Sequence, residues 1–135
     1  MRCLLIAACC LAGCGRRDAL ETASVRGTAV IDGKPLNGGS VVFTPQQGRS
    51  ARGTIQSDGS FTLSTYGKSD GAIVGMHKVS VFEAPNRSEG GAIDFNRPPP
   101  PLSVPRRYRD PDQSGLTFDV QPDVDNTANL ELRAK

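Results

Sequence analysis

Cysteine is missing from the body of the chain. All four cysteines, Cys3, Cys9, Cys10 and Cys14, stand in the first fourteen residues, and histidine occurs once, as His77. A disulfide framework would spread its cysteines through the fold, and a zinc site would set them beside histidines. Neither is available here. Net charge is scarce as well: a formal +2 over 135 residues does not point to nucleic acid or another polyanion. Tryptophan is absent, and aromatic residues make up only 5% of the chain. No stretch after the first fourteen residues keeps an apolar period of 3.6, so no long amphipathic helix is expected.

What is present is glycine and proline, 15 and 10 residues. Both punctuate turns and oppose long helices, which favours many short strands. The length suits one domain. Alternation of period two recurs along the chain. Residues 24–31 set Val25, Gly27, Ala29 and Ile31 against Arg26 and Thr28, and Asp32-Gly33-Lys34-Pro35 supplies a turn in which Pro35 stops the strand. Further strands are predicted at 40–44, 51–56, 60–64, 75–82, 116–120 and 130–132. The pair at 51–56 and 60–64 flanks Asp58-Gly59, a strong hairpin signal. Seven strands of this kind predict an all-β, seven-stranded antiparallel β-sandwich. Phe43, Phe61, Leu63, Val79, Val81, Phe118 and Leu130 are its candidate core.

The first residues read differently. Met1-Arg2 is followed by a ten-residue apolar run, CLLIAACCLA. A bilayer-spanning helix needs roughly 20 such residues, so the run fits the apolar region of a secretory signal instead. It ends in Leu11-Ala12-Gly13-Cys14, which matches the bacterial lipobox. That resemblance implies lipid transfer to the Cys14 thiol, cleavage after Gly13 and acylation of the new amino group. The competing reading is an ordinary signal peptide that happens to hold a cysteine there. The expected organisation is a lipoprotein signal peptide at 1–13, a tether at 14–22 and the β domain at 23–135. Gly15 rather than Asp follows Cys14, which under the usual sorting rule implies the outer membrane. Cell membrane and outer membrane, periplasmic or surface-facing, both stay open.

From Val25 to Pro45 the chain reads V-R-G-T-A-V-I-D-G-K-P-L-N-G-G-S-V-V-F-T-P. This frame resembles the opening of carboxypeptidase-regulatory-like and transthyretin-like domains. In the same order, T-I-Q-S-D-G-S-F-T-L (54–63), G-A-I-V-G-M-H-K-V-S-V (71–81) and V-P-R-R-Y-R-D-P-D-Q-S-G-L-T-F-D-V (104–120) resemble later parts of that pattern. The closing piece is similar to one in small lipoproteins of planctomycete-type bacteria. The hairpin is one residue shorter than the pattern, and His77 stands where an aromatic residue is usual. The resemblance implies a prealbumin-like β-sandwich, mostly without catalytic activity.

Candidate chemistry is sparse. Hydroxyisourate-hydrolysing relatives of transthyretin use several histidines and a C-terminal Tyr-Arg-Gly-Ser, whereas this chain has one histidine and ends Glu-Leu-Arg-Ala-Lys. His77 reads either as a packing residue or as a base, and a base needs a nucleophile and an orienting carboxylate nearby. Asp110/Asp112 and Asp123/Asp125 are spaced for a loop cation, but the full calcium-loop pattern is missing, so no metal and no cofactor is expected. A long segment, 83–113, exceeds the usual ~12–15 residues of a loop. It carries the prolines at 98–101 and the cluster Arg106, Arg107, Tyr108, Arg109. The cluster is a candidate partner contact through charge-assisted hydrogen bonds, or a crossover whose Tyr108 packs on the sandwich edge.

Two functions follow as expectations. One is a non-catalytic, lipid-anchored envelope module that binds or scaffolds a protein or polysaccharide, with no nucleic-acid partner. The other is an exported hydrolase using His77 with loop residues, which requires His77 in a cleft within reach of a Ser, Tyr or carboxylate.

Overall fold

The computed structural model describes residues 19–84, 95–96 and 104–135. These residues form ten strands and no α-helix: β1 (Thr22–Ala23), β2 (Val25–Ile31), β3 (Lys34–Pro35), β4 (Ser40–Pro45), β5 (Ala51–Thr54), β6 (Ser60–Thr62), β7 (Ala72–Ile73), β8 (Gly75–Phe82), β9 (Thr117–Val120) and β10 (Asn126–Leu132). A 3-10 turn, Arg106–Arg109, precedes β9. The period-two reading holds at the level of single side chains. Val25, Gly27 and Ala29 are buried while Arg26 and Thr28 are exposed, and Phe61 is buried while Thr62 is exposed.

Three sheets result. One holds β10, β2 and β3 with β6 also paired to β2; another runs β5-β4-β8-β9; a small third pairs β1 with β7. The two larger sheets enclose a common core in a sandwich-like arrangement. Phe43 on β4 lies at its centre, its ring 6.2 Å from Phe61, 6.0 Å from His77 and 5.8 Å from Phe118. Such tilted and edge-on pairs add to the burial of the rings themselves. Phe43, Phe61, Leu63, Val79, Val81 and Leu130 are buried and Phe118 partly so.

Four details correct the sequence-based expectation. The pairing of β10 with β2 is parallel over seven residues, from Asn126 beside Val25 to Leu132 beside Ile31, so the strands are mostly rather than wholly antiparallel. Three two-residue strands, β1, β3 and β7, join the seven expected ones, because two residues carry no readable period. Pro35 is not what ends β2, which stops at Ile31; it closes the short β3 instead. Asp32 (φ 47°) and Gly33 (φ 80°) turn the chain tightly, and Pro35 pairs with Val30 in a hairpin. Both turn residues lie at positive φ, as a two-residue hairpin loop of this hand requires. Finally, the last strand begins at Asn126, four residues before the expected Leu130.

Asn126 explains that early start. Its Oδ1 accepts from Gln121 N at 2.9 Å, and its Nδ2 faces the carbonyls of Ser24, Gln121 and Val124 at 3.1, 3.0 and 3.2 Å. The buried amide thus stitches the β9–β10 turn to the chain entering β2. Tyr108 performs a similar service at the other end. Its ring is buried, and its hydroxyl accepts from Arg133 N at 2.9 Å just beyond β10.

Candidate functional site

Cys14 lies outside the described residues, as do 85–94 and 97–103 of the long segment. Residues 104–113 of that segment fold onto the body, whereas Phe95 is exposed. Val104 and Tyr108 are buried, and Ser114 Oγ donates to Val79 O at 2.6 Å. The Arg106–Arg109 cluster is therefore divided. Tyr108 belongs to the core, and Arg107 is tied to it: the guanidinium sits 4.7 Å over the Tyr108 ring and donates to Tyr108 Oη and to Arg133 O. Arg106 and Arg109 are exposed.

His77 is 1% exposed and packs beside Phe43. Its Nε2 donates to the Ile73 carbonyl at 2.6 Å, which places the proton on Nε2 because a carbonyl can only accept. Nδ1 is buried and has no partner among the described residues. His77 lines a cavity of about 500 Å³ together with Lys78 and Asp112, but its ring turns to the core and its hydrogen bond goes to a backbone carbonyl rather than to a Ser, Tyr or carboxylate. The acidic pair Asp110/Asp112 is engaged locally. Asp110 Oδ1 accepts from Asp112 N at 2.8 Å, and Asp112 forms an ion pair with Lys78 that holds the lysine's pKa above its ordinary value. Among the described residues, no three His, Cys, Asp or Glu side chains come together as a metal-ligand set.

The feature that sequence reasoning missed is a trough of about 660 Å³ on the outer face of the β10-β2-β6 surface. Alternation sends Arg26 and Thr28 of β2, Thr127 and Asn129 of β10, and Thr62 of β6 away from the core. Beyond β6 the surface continues into β5 through a bridge in which Arg52 and Ser64 exchange backbone hydrogen bonds of 2.9 Å. That bridge brings Arg52 and Thr54 to the same trough. Lys68 and Ser69 complete the lining from the loop after Ser64. Three cations line this space and no carboxylate does. Among the described residues none of the three has an ion-pair partner, since the one pair recorded there is Lys78–Asp112. The hydroxyls are arranged rather than scattered: Thr28 Oγ1 donates to Asn129 Oδ1 at 3.2 Å across β2 and β10, and Ser64 Oγ accepts from Ser69 N at 2.8 Å.

Asp70 holds the loop that carries Lys68. Its carboxylate accepts from the backbone N–H groups of Thr65, Tyr66 and Gly67 at 2.7, 2.9 and 2.9 Å. Burial pushes this carboxyl up, but the three donors outweigh it and hold the pKa below the ordinary 3.8. A folded-state pKa below the unfolded one adds stability that is complete above the unfolded value and disappears as pH falls through the folded value. Asp70→Asn is therefore expected to lower the urea midpoint near neutral pH and to lose less on acidification than the wild type. Parallel curves for the two proteins from neutral pH down to about pH 3 would contradict this role.

Compared with known proteins, the chain matches no family model, no curated protein and no solved structure.

Proposed function

We propose that this chain is an exported cell-envelope lipoprotein, anchored through Cys14, whose β-sandwich acts as a non-catalytic binding module for an envelope polysaccharide or protein. The observation that carries the binding reading is the trough: the face of β2, β6 and β10 opposite the core bears three cations that have no ion-pair partner among the described residues, set among hydroxyls. A ligand there meets side chains that are free to bind without disturbing the hydrophobic interior. The anchor reading is supported by Leu11-Ala12-Gly13-Cys14 directly after the ten-residue apolar run. Two or more acyl chains on one residue hold a protein stably, since each buried methylene contributes about 0.8 kcal/mol.

The finer fold reading, a prealbumin-like sandwich of seven principal strands, belongs to the same proposal. It is supported by the ordered sequence resemblance and by the two four-stranded sheets about a shared core. Fractionation of bacteria expressing the full chain tests the anchor. The wild type is expected in the membrane fraction after a salt wash, and Cys14→Ser in the soluble fraction. The same distribution for both proteins would overturn the reading.

A further inference from the structure

We propose that the trough binds an acidic polysaccharide, a sugar chain bearing carboxylates, gripped by Arg26, Arg52 and Lys68. The inference rests on the binding-module reading and names the class of ligand. Charge selects an anion, because three cations and no carboxylate line the space. The nearby acidic side chains are occupied or set apart. Asp70 stays ionised but turns its carboxylate to three backbone donors of its own loop, Asp58 accepts from the Ser60 hydroxyl and N–H, and Glu131 lies one outward position beyond Asn129 on β10. An arginine can grip a carboxylate with two parallel hydrogen bonds, which fixes direction as well as charge.

The remaining lining selects a polyol. Thr28, Thr54, Thr62, Thr127 and Asn129 surround the cations with short groups that both donate and accept, suited to ring hydroxyls. Other partners lack what they need. Phe61, the one aromatic residue in the lining, is 2% exposed, so there is no stacking platform for nucleic-acid bases. Nor is there an exposed apolar anchor of the kind that carries protein interfaces. The volume falls within the roughly 300–1,000 Å³ of small-ligand sites, enough for a few sugar rings of a longer chain.

The test is titration of the full-length lipidated protein in detergent micelles with an oligogalacturonate. A neutral malto-oligosaccharide of equal length and inorganic phosphate serve as the other probes. The uronate oligomer should bind, weaken with added salt, and lose at least about tenfold in affinity in Arg26→Glu/Arg52→Glu, the loss of one or more charge-assisted hydrogen bonds. Both residues are exposed, and the unfolding midpoint of the variant should stay near that of the wild type. Arg106→Glu/Arg109→Glu, which alters exposed charge elsewhere, should leave affinity unchanged. The proposal is overturned if the neutral chain binds as well, if phosphate binds as tightly as the uronate, if the uronate does not bind, or if the trough variant binds like wild type. Any of these results with Cys14-dependent membrane retention intact removes the ligand class alone. Loss of that retention removes the anchored-module reading.

Discussion

Asn126→Asp should destabilise the fold strongly near neutral pH, although it exchanges one amide nitrogen for an oxygen. Asn126 is 6% exposed, and its Nδ2 faces three carbonyl oxygens within 3.2 Å. An aspartate would set a charged oxygen against those three acceptors. An uncompensated buried charge costs about 3–5 kcal/mol, against a total stability of about 5–15 kcal/mol for a small domain. Asn126→Ala should cost less, about 1–3 kcal/mol, because it leaves carbonyls unpaired without adding charge. Acid should partly rescue the Asp variant, since a protonated carboxyl regains one donor. Urea unfolding of the three proteins checks this order, and an Asp variant more stable than the Ala variant would contradict the clamp.

The second large effect is expected at Gly27. A Cβ built there lies 1.8 Å from the Ala128 carbonyl oxygen and 3.0 Å from Phe61 Cζ. Ala128 is the register partner of Gly27 in the parallel β2–β10 pair, so the obstacle is backbone and cannot rotate away. Gly27→Ala should therefore cost about 3 kcal/mol or more, at or beyond the upper end of ordinary overpacking. Two controls separate crowding from the general loss of glycine. Gly67 has open space and no positive φ, so Gly67→Ala should change stability by no more than about 0.5 kcal/mol. Gly33 has open space but a φ of 80°, so Gly33→Ala should cost about 1–2 kcal/mol for left-handed backbone alone. Thermal or urea unfolding ranks the three, and a Gly27→Ala protein as stable as Gly67→Ala would show that β10 does not lie against β2 as described.

These two positions also mark how far the sequence was legible. Apolar alternation located the seven longer strands and most of the core, because Phe61, Leu63, Val79 and Val81 declare their inward face by spacing. Asn126 and Ala128 hid the start of β10: one is polar and the other small, so the period emerges only at Leu130. The parallel direction of β10 beside β2 was beyond reach, since no local pattern records which distant strand lies alongside. Tyr108 combined both situations. Its neighbouring arginines suggested a contact surface, while the fold uses the ring as packing and the hydroxyl as an acceptor for Arg133.

The trough was hidden by averaging. A net charge of +2 hides a local surface with three cations and no carboxylate. Arg26, Arg52 and Lys68 are far apart in sequence, and each alone looks like an ordinary solvated side chain. The Arg52–Ser64 bridge and the pairing of β6 with β2 bring them to one place. His77 shows the converse. A lone histidine drew notice as a possible base, and its ring lies in the core with its Nε2 proton on a carbonyl.

Intact-mass measurement of the membrane-extracted protein, beside a Cys14→Ser version, tests the central claim most directly. The account predicts a mass equal to residues 14–135 plus acyl chains, with both the cleavage after Gly13 and the added lipid lost in the variant. A chain that carries no lipid, or that is cleaved elsewhere or not at all, would contradict it and leave a β domain without its anchor.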